Sequence, residues 1–208
     1  MEPGVSDLDH LDAIAGRLLA TMAPVRFAVA ATDAERRATF RLRYEAVLRR
    51  GWAGPAAFPD GLERDTYDDV TVHLGGWEGD KLVATGRIVF PAPGLRLPTE
   101  TAFDLVIEPV GTAANVDRMA IAANHSDVEY RLLLGLLGAA WREVRLRGLH
   151  IWVGINSRSM IRLYRRLGLT LETLGPPRLH WGEERYPTRF DGRTGAAEFI
   201  RRWRETVR

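Results

Sequence analysis

Leu62-Glu63-Arg64-Asp65-Thr66-Tyr67-Asp68-Asp69 puts four carboxylates into seven residues, with one aromatic ring among them. The next residues, Val70-Thr71-Val72-His73-Leu74, alternate apolar and polar, which is a strand signal. The acidic stretch therefore reads as the lead-in to a strand. Carboxylates in such a place can hold an amine, orient an arginine or take a proton. Acidic segments are also common as plain solvated loops, so the meaning of this one depends on what accompanies it.

Upstream, Asp33 to Arg50 has helical spacing, with Phe40, Leu42, Val47 and Leu48 as apolar positions. Thr32 or Asp33 can cap its start, and Gly51, followed by Trp52, ends it. A Gly/Pro-containing loop, Ala53 to Gly61, joins it to the acidic stretch. Before it lie a strand at Phe27–Ala30 and a helix from Val5 to Met22, with Ser6 as N-cap and Pro24 beyond its end. Downstream, Val70–Trp77 and Leu82–Phe90 form two strands around the turn Glu78-Gly79-Asp80-Lys81. Pro91–Pro98 is a loop and Ala113–Ile121 another strand. A long helix, Val128–Arg147, has the stripe Leu132, Leu133, Leu136, Leu137, Ala140 and Val144, and Gly148 closes it. Then come a buried-type strand at Ile151–Ile155 and a helix capped by Ser157 or Ser159 that ends at Leu167-Gly168. Strands near Thr170–Thr173 and His180–Tyr186 and a terminal helix, Ala196–Val207, complete the chain. With no internal repeat and no long linker, this is a single α+β domain. Its mixed, mostly antiparallel sheet is flanked by helices.

Composition narrows the function classes. The chain has 208 residues, 46% hydrophobic and 27% charged, which suits one sizeable soluble core. It has no cysteine, hence no disulfide, no thiolate nucleophile and no cysteine-bound metal. The histidines are scattered without ligand spacing, so no metal is expected, and His73, His125, His150 and His180 sit in no pattern that demands a base. Asp7, Asp9 and Asp12 stand where a signal peptide would be basic, and no apolar run is long enough to span a membrane. A cytoplasmic protein is expected. Residues 1–140 hold 14 basic and 20 acidic residues, a balance of −6, whereas residues 141–208 hold 15 and 7, a balance of +8. All but Lys81 of the basic residues are arginine. A basic last third implies an anionic partner there, such as nucleic acid, a phosphorylated cofactor or an acidic protein.

The order of elements is that of the GCN5-related N-acetyltransferase (GNAT) fold. Asn156 to Leu169, with Leu163-Tyr164-Arg165-Arg166-Leu167-Gly168, resembles that superfamily's late helix, in which a tyrosine often lies near the leaving thiol. A closer resemblance is to the acyl-homoserine lactone synthases, over about residues 26 to 125. Arg43, Trp52, Glu63, Asp65, Asp68, Arg87 and Arg118 stand in the order of that family's arginines, tryptophan and acidic segment. Gly86-Arg87-Ile88-Val89-Phe90-Pro91, then Arg96-Leu97-Pro98-Thr99, is similar to its strand and proline-threonine loop. The chain departs where the synthases have Glu-x-x-Arg, because Asn115 stands for the glutamate of Asn115-Val116-Asp117-Arg118. The Arg43–Trp52 spacing is also a residue shorter, and Val47 replaces an aromatic. These departures point to the related N-acyl amino acid synthases, which acylate a free amino acid instead of S-adenosylmethionine. The implied division is an N-terminal helix at 1–24, the acyltransferase domain at 25–191 and a C-terminal helix at 192–208.

The resemblance implies attack of an amine on a thioester, for which no protein nucleophile is needed. Glu63 and Asp65 are the expected proton acceptors, and the Met119 and Ala120 N–H groups the expected oxyanion donors. Arg43, Arg87 and Arg118 are expected to brace the acidic segment or bind a substrate carboxylate, with Asp68 mainly a brace. Trp52, Phe90 and Trp152 would line an acyl tunnel, Trp152 also suiting plain core packing, and Tyr164 would face the leaving thiol. The glycine-rich pyrophosphate cradle of coenzyme A-binding relatives is missing, and Asn124-His125-Ser126-Asp127-Val128-Glu129 stands in its place. The expected donor is therefore an acyl-phosphopantetheine thioester on an acidic acyl carrier protein, with acyl-CoA as the alternative. Arg142, Arg145, Arg147, Arg162, Arg165 and Arg166 are the expected docking face. Competing readings are a lactone synthase, a CoA-dependent acetyltransferase and a non-catalytic nucleic-acid-binding module. The last ranks lowest because no nucleic-acid motif is found.

Overall fold

The computed structural model describes residues 6–206. In chain order the elements are α1 (Asp7–Ala20), β1 (Val25–Val29), α2 (Asp33–Arg50), β2 (Val72–Glu78), β3 (Lys81–Val89), α3 (Pro98–Phe103) and β4 (Ala113–Ile121). Then follow α4 (Glu129–Leu146), β5 (Ile151–Ser157), α5 (Arg158–Leu167), β6 (Glu172–Thr173), β7 (Arg178–His180), β8 (Glu183–Asp191) and α6 (Ala197–Thr206). Single 3-10 turns lie at Pro55–Ala57, Thr66–Val70 and Ala123–Val128. The hydrogen-bonding order of the strands is β1-β2-β3-β4-β5-β8-β6, with β7 also on β8. The α+β class and the mostly antiparallel sheet are as the sequence implies. Val5 and Val207, expected at the ends of the first and last helices, lie outside the described residues.

The chain gathers into two compact units. One comprises Leu18–Val89 and Val116–Ala140. Within it β1 pairs antiparallel with β2, and β2 with β3, so that Leu74 faces Val29 on one side and Gly86 on the other. Helix α2 starts with a reciprocal capping box. The Glu35 N–H donates to Thr32 Oγ1 (3.2 Å), and the Thr32 N–H donates to the Glu35 carboxylate (2.9 Å). It ends at Gly51, whose φ of 67° lets its N–H turn back to the carbonyls of Val47 and Leu48. The buried side chains of α2 are Thr39, Leu42, Arg43, Ala46 and Val47, spaced for one helical stripe. A guanidinium therefore sits where a bundle would carry an aliphatic side chain. Strand β3 is buried from Val83 to Val89, and Arg87 is among its fully enclosed side chains.

The other unit comprises Met1–Arg17, Phe90–Asn115 and Trp141–Arg208. There β4 pairs in parallel with β5 from Ala113↔Ile151 to Asn115↔Val153, and β5 pairs antiparallel with β8. Trp141, Trp152 and Phe190 pack together, with Trp152 and Phe190 ring centres 4.9 Å apart. Asp12 of α1 accepts from Trp141 Nε1 at 2.7 Å and from Arg145 Nε at 3.1 Å, which anchors that helix. Two features differ from the sequence expectation. Pro98–Phe103 is a short helix, where the sequence reading ends a loop at Pro98 and assigns no element before Ala113; its first turn is clasped by Glu100, which accepts from the Leu97 and Ile107 N–H groups. The strand expected at His180–Tyr186 is interrupted: Trp181 and Gly182, at φ 54° and 70°, form a two-residue hairpin turn between β7 and β8.

Candidate active site

The acidic stretch is shaped by its own carboxylates. Asp65 caps the 3-10 turn Thr66–Val70 by accepting from the Tyr67 N–H (2.9 Å), while Asp68 accepts from the Asp65 N–H (2.8 Å). The Glu63 N–H donates to the Phe40 carbonyl at 3.1 Å, which pins the stretch to α2. Glu63, Asp65 and Asp68 thus project from a short rigid segment toward α2, β3 and β4.

Three arginines meet them. Arg43 grips Asp68 with two parallel bonds, Nη1 to Oδ1 at 2.7 Å and Nη2 to Oδ2 at 3.0 Å, and its Nε bonds Glu63. Arg87 gives Nε and Nη2 to the two oxygens of Asp117 at 2.8 and 2.9 Å. Its Nη1 reaches Asp65 at 2.6 Å and Asp68 at 3.2 Å, and its guanidinium lies over the Tyr67 ring. Arg118 donates Nε to Glu63 and Nη2 to Asp65, each at 3.0 Å. Burial works against charge on Arg43 and Arg87. The carboxylates more than offset it, Asp68 and Glu63 for Arg43 and Asp117, Asp65 and Asp68 for Arg87, and hold both pKa values above the ordinary range. For Asp68, burial pushes upward, but the hydrogen bonds and charge of Arg43, with Arg87 behind them, win and hold it at about 2.

Arg118 has φ 53° in the middle of β4. A left-handed arginine costs about 1–2 kcal/mol, and breaks of this kind mark bulges beside functional sites. Met119 and Ala120, the expected oxyanion donors, follow it directly. The Met119 side chain is half-buried, and Ala120 packs with Leu42, Ala46 and Ala122.

His73 is buried beneath this network. Its Nε2 lies 3.1 Å from the Asp68 carbonyl, which only accepts, so the proton is on Nε2. Nδ1 has no hydrogen-bond partner and lies 3.8 Å from Asp68 Oδ1. Burial lowers its pKa and keeps the ring neutral. Tyr67, His73 and Asp117 all belong to the cluster, and of these the sequence reading proposed none as a site residue.

The remaining expected residues lie as follows. Trp52 is half-buried beside the Arg50 guanidinium, 5.8 Å from its ring centre. Phe90 is capped by the Arg147 guanidinium at 4.0 Å, and Trp152 is part of the aromatic core described above. Asn115, where the lactone synthases carry glutamate, is buried, and its Oδ1 accepts from the Thr99 N–H (3.0 Å) and hydroxyl (2.6 Å), clasping the start of α3. Tyr164 is enclosed in α5, and burial pushes its hydroxyl up to about 12. Arg145 is occupied by Asp12, Arg147 pairs with Glu143 at 3.2 Å, and Arg142 lies 4.0 Å from Glu143. Arg162, Arg165 and Arg166 are exposed on α5 and have no ion pair among the described residues. Among the described residues no group of three His, Asp or Glu side chains is placed to hold a metal, and no helix is long and apolar enough to cross a membrane.

Comparison with known proteins gives this cluster a setting. The family model described as N-acyl amino acid synthase FeeM matches residues 38–183, which include every member of the buried network. No curated protein matches. Among solved structures the fold is shared with the AHL synthase LasI (17% identity, TM-score 0.67, 84% of this chain and 94% of that one). It is shared with the CoA-dependent acyl-homoserine lactone synthase BjaI bound to SAM and isopentyl-CoA (21%, 0.63, 88% of each). It is shared too with FeeM from uncultured soil microbes, an N-acyl amino acid synthase (17%, 0.64, 84% and 95%).

Proposed function

The chain belongs to the FeeM family of N-acyl amino acid synthases and is an N-acyltransferase; from that premise we propose that it takes its acyl group from a carrier-protein phosphopantetheine thioester and delivers it to an amino acid or similar small amine. The observation that carries the reading is the unequal exposure of the carboxylates. The Asp65 side chain is 31% exposed, against 2% for Glu63, 3% for Asp68 and 9% for Asp117. Glu63 and Asp65 are each held by two arginines, but only Asp65 is open to solvent, so Glu63 is a brace and Asp65 is the carboxylate that a substrate meets. The network formally sets three guanidinium groups against four carboxylates, one positive charge short, and an incoming ammonium group supplies it.

In the reaction the acceptor nitrogen gives a proton to the Asp65 carboxylate and its lone pair forms the C–N bond. The carbonyl π electrons move to oxygen, where the Met119 and Ala120 N–H groups following the left-handed Arg118 are the proposed donors. The oxyanion then collapses and the C–S bond breaks; the departing thiolate takes up the second proton that the nitrogen loses, Asp65 returns its own to solvent, and the amide and a free thiol result. The resemblance alone assigns Tyr164 to the leaving thiol, and burial pushes its hydroxyl up to about 12. The carrier-protein donor is favoured over CoA by the unpaired arginines of α5, which suit an acidic protein.

The test incubates the protein with acyl-carrier and acyl-CoA thioesters, pooled amino acids and S-adenosylmethionine, with products read by mass spectrometry. An N-acyl amino acid made from the carrier thioester and lost in Asp65→Asn is expected. A lactone with methylthioadenosine would replace this reading with a lactone synthase, and preference for acyl-CoA would replace the donor.

A further inference from the structure

Successive side chains of a regular strand point to opposite faces. Asp117 and Arg118 are consecutive on β4, yet both serve the same carboxylate, Asp65. Arg118 bonds its Oδ2 directly at 3.0 Å, and Asp117 acts through Arg87, which bonds its Oδ1 at 2.6 Å. The left-handed φ of 53° at Arg118 is what breaks the alternation and delivers both.

Asp117 occupies one whole edge of the Arg87 guanidinium, Nε and Nη2, at 2.8 and 2.9 Å. A planar guanidinium held along one edge has no rotational freedom left, so Nη1 is aimed at Asp65 and Asp68. Arg87 itself is enclosed and has no solvent alternative. We infer that Asp117 is a positioning residue for acyl transfer. By fixing the Arg87 plane it confines Arg87 to Oδ1 of Asp65, where the Tyr67 N–H also binds, so that Oδ2, bonded by Arg118, keeps its second lone pair for the amine proton. Asp117 is itself too enclosed to touch substrate. Resting on the assignment of Asp65 as base, the inference adds the residue that sets its orientation. The charged and titratable groups around Asp65 are Arg87 from β3, Arg118 and Asp117 from β4, and Glu63, Tyr67 and Asp68 from its own segment. Behind Asp68 stand Arg43 of α2 and His73 of β2.

Asp117→Asn keeps the shape and takes the formal charge of the network from one negative to none, so it is expected to fold. Should it not, Asp117→Ser, whose hydroxyl accepts a single bond, takes its place. Asp117→Glu keeps the charge. With carrier thioester and amino acid, the Asn variant is expected to lose about tenfold in kcat near neutral pH, with KM for the thioester unchanged. The loss should shrink at alkaline pH, where the acceptor amine is already unprotonated and needs no base. Asp117→Glu should recover much of the rate, and the Asp65→Asn/Asp117→Asn double variant should be no slower than Asp65→Asn alone. A loss equal at every pH, a loss carried by KM, or an additive double variant would overturn the inference and leave Asp117 a fold brace. Wild-type activity that survives Asp65→Asn would overturn the base assignment, and this inference with it.

Discussion

Asp68 shows how charge is kept inside this protein. Enclosed with two guanidinium groups, it is held at about 2, below the 3.8 of a free aspartate. A carboxylate whose folded pKa is depressed adds stability above its unfolded pKa and loses it as pH falls through the folded value. Unfolding measured between about pH 4 and pH 2 should therefore show a steep loss of stability in the wild type. Asp68→Asn should be less stable at neutral pH and flatter across that window, and an unchanged slope would refute the assignment. Removing the partner is a different loss. Arg43→Met leaves Glu63 and Asp68 buried with less compensation and should cost about 3–5 kcal/mol in urea unfolding. The carboxylates and arginines of this cluster were legible in the sequence because their order along the chain carries the resemblance. Asp117 was not, because a strand reading sends residues 117 and 118 to opposite faces, and nothing about an arginine announces a left-handed backbone. The choice of Asp65 over Glu63 was equally hidden, since two carboxylates in one stretch differ only once their exposure is known.

Among the elements, the helix ends show which sequence signals hold. Gly148 and Gly168 both follow helices and both have positive φ, 73° and 89°. A Cβ at Gly148 meets nothing, whereas one at Gly168 would lie 2.8 Å from the Phe199 backbone nitrogen, against the start of α6. Gly148→Ala should therefore cost about 1 kcal/mol, from backbone conformation alone. Gly168→Ala should cost about 2–4 kcal/mol, because a close-packed backbone must also shift. Urea midpoints of the two variants check this, and equal losses would show that α6 yields freely. Helix α2 was readable to its last residue because a capping box and a terminal glycine are local chemistry. The hairpin at Trp181-Gly182 was not, because this turn normally announces itself with asparagine or aspartate before glycine, and a tryptophan in its place reads as strand. Helix α3, at six residues, is too short for periodicity to reveal.

For the molecule as a whole, the arginines expected to dock a carrier protein narrow to one helix once the ion pairs are known. The sequence offered six arginines for docking, three on α4 and its C-terminal end and three on α5. Asp12 and Glu143 occupy Arg145 and Arg147, and Glu143 stands beside Arg142. On α5, Arg158 is shared with Glu184, while Arg162, Arg165 and Arg166 are exposed on a helix that has no acidic residue of its own. Charges already paired within a fold add little to a partner's field, while unpaired ones on a helix steer association. The docking reading therefore predicts a difference between two charge reversals. Arg162→Glu/Arg165→Glu should raise KM for a carrier-protein thioester by about tenfold or more, and Arg142→Glu should change it little. Neither should alter KM for an acyl-pantetheine that lacks the protein. The carrier KM of the wild type should also rise with salt as the Debye length falls toward about 8 Å, and that of the α5 variant should rise less. A salt-insensitive KM, or equal effects on carrier and pantetheine substrates, would mean that the α5 arginines only solvate the helix, and acyl-CoA would then become the donor to test first.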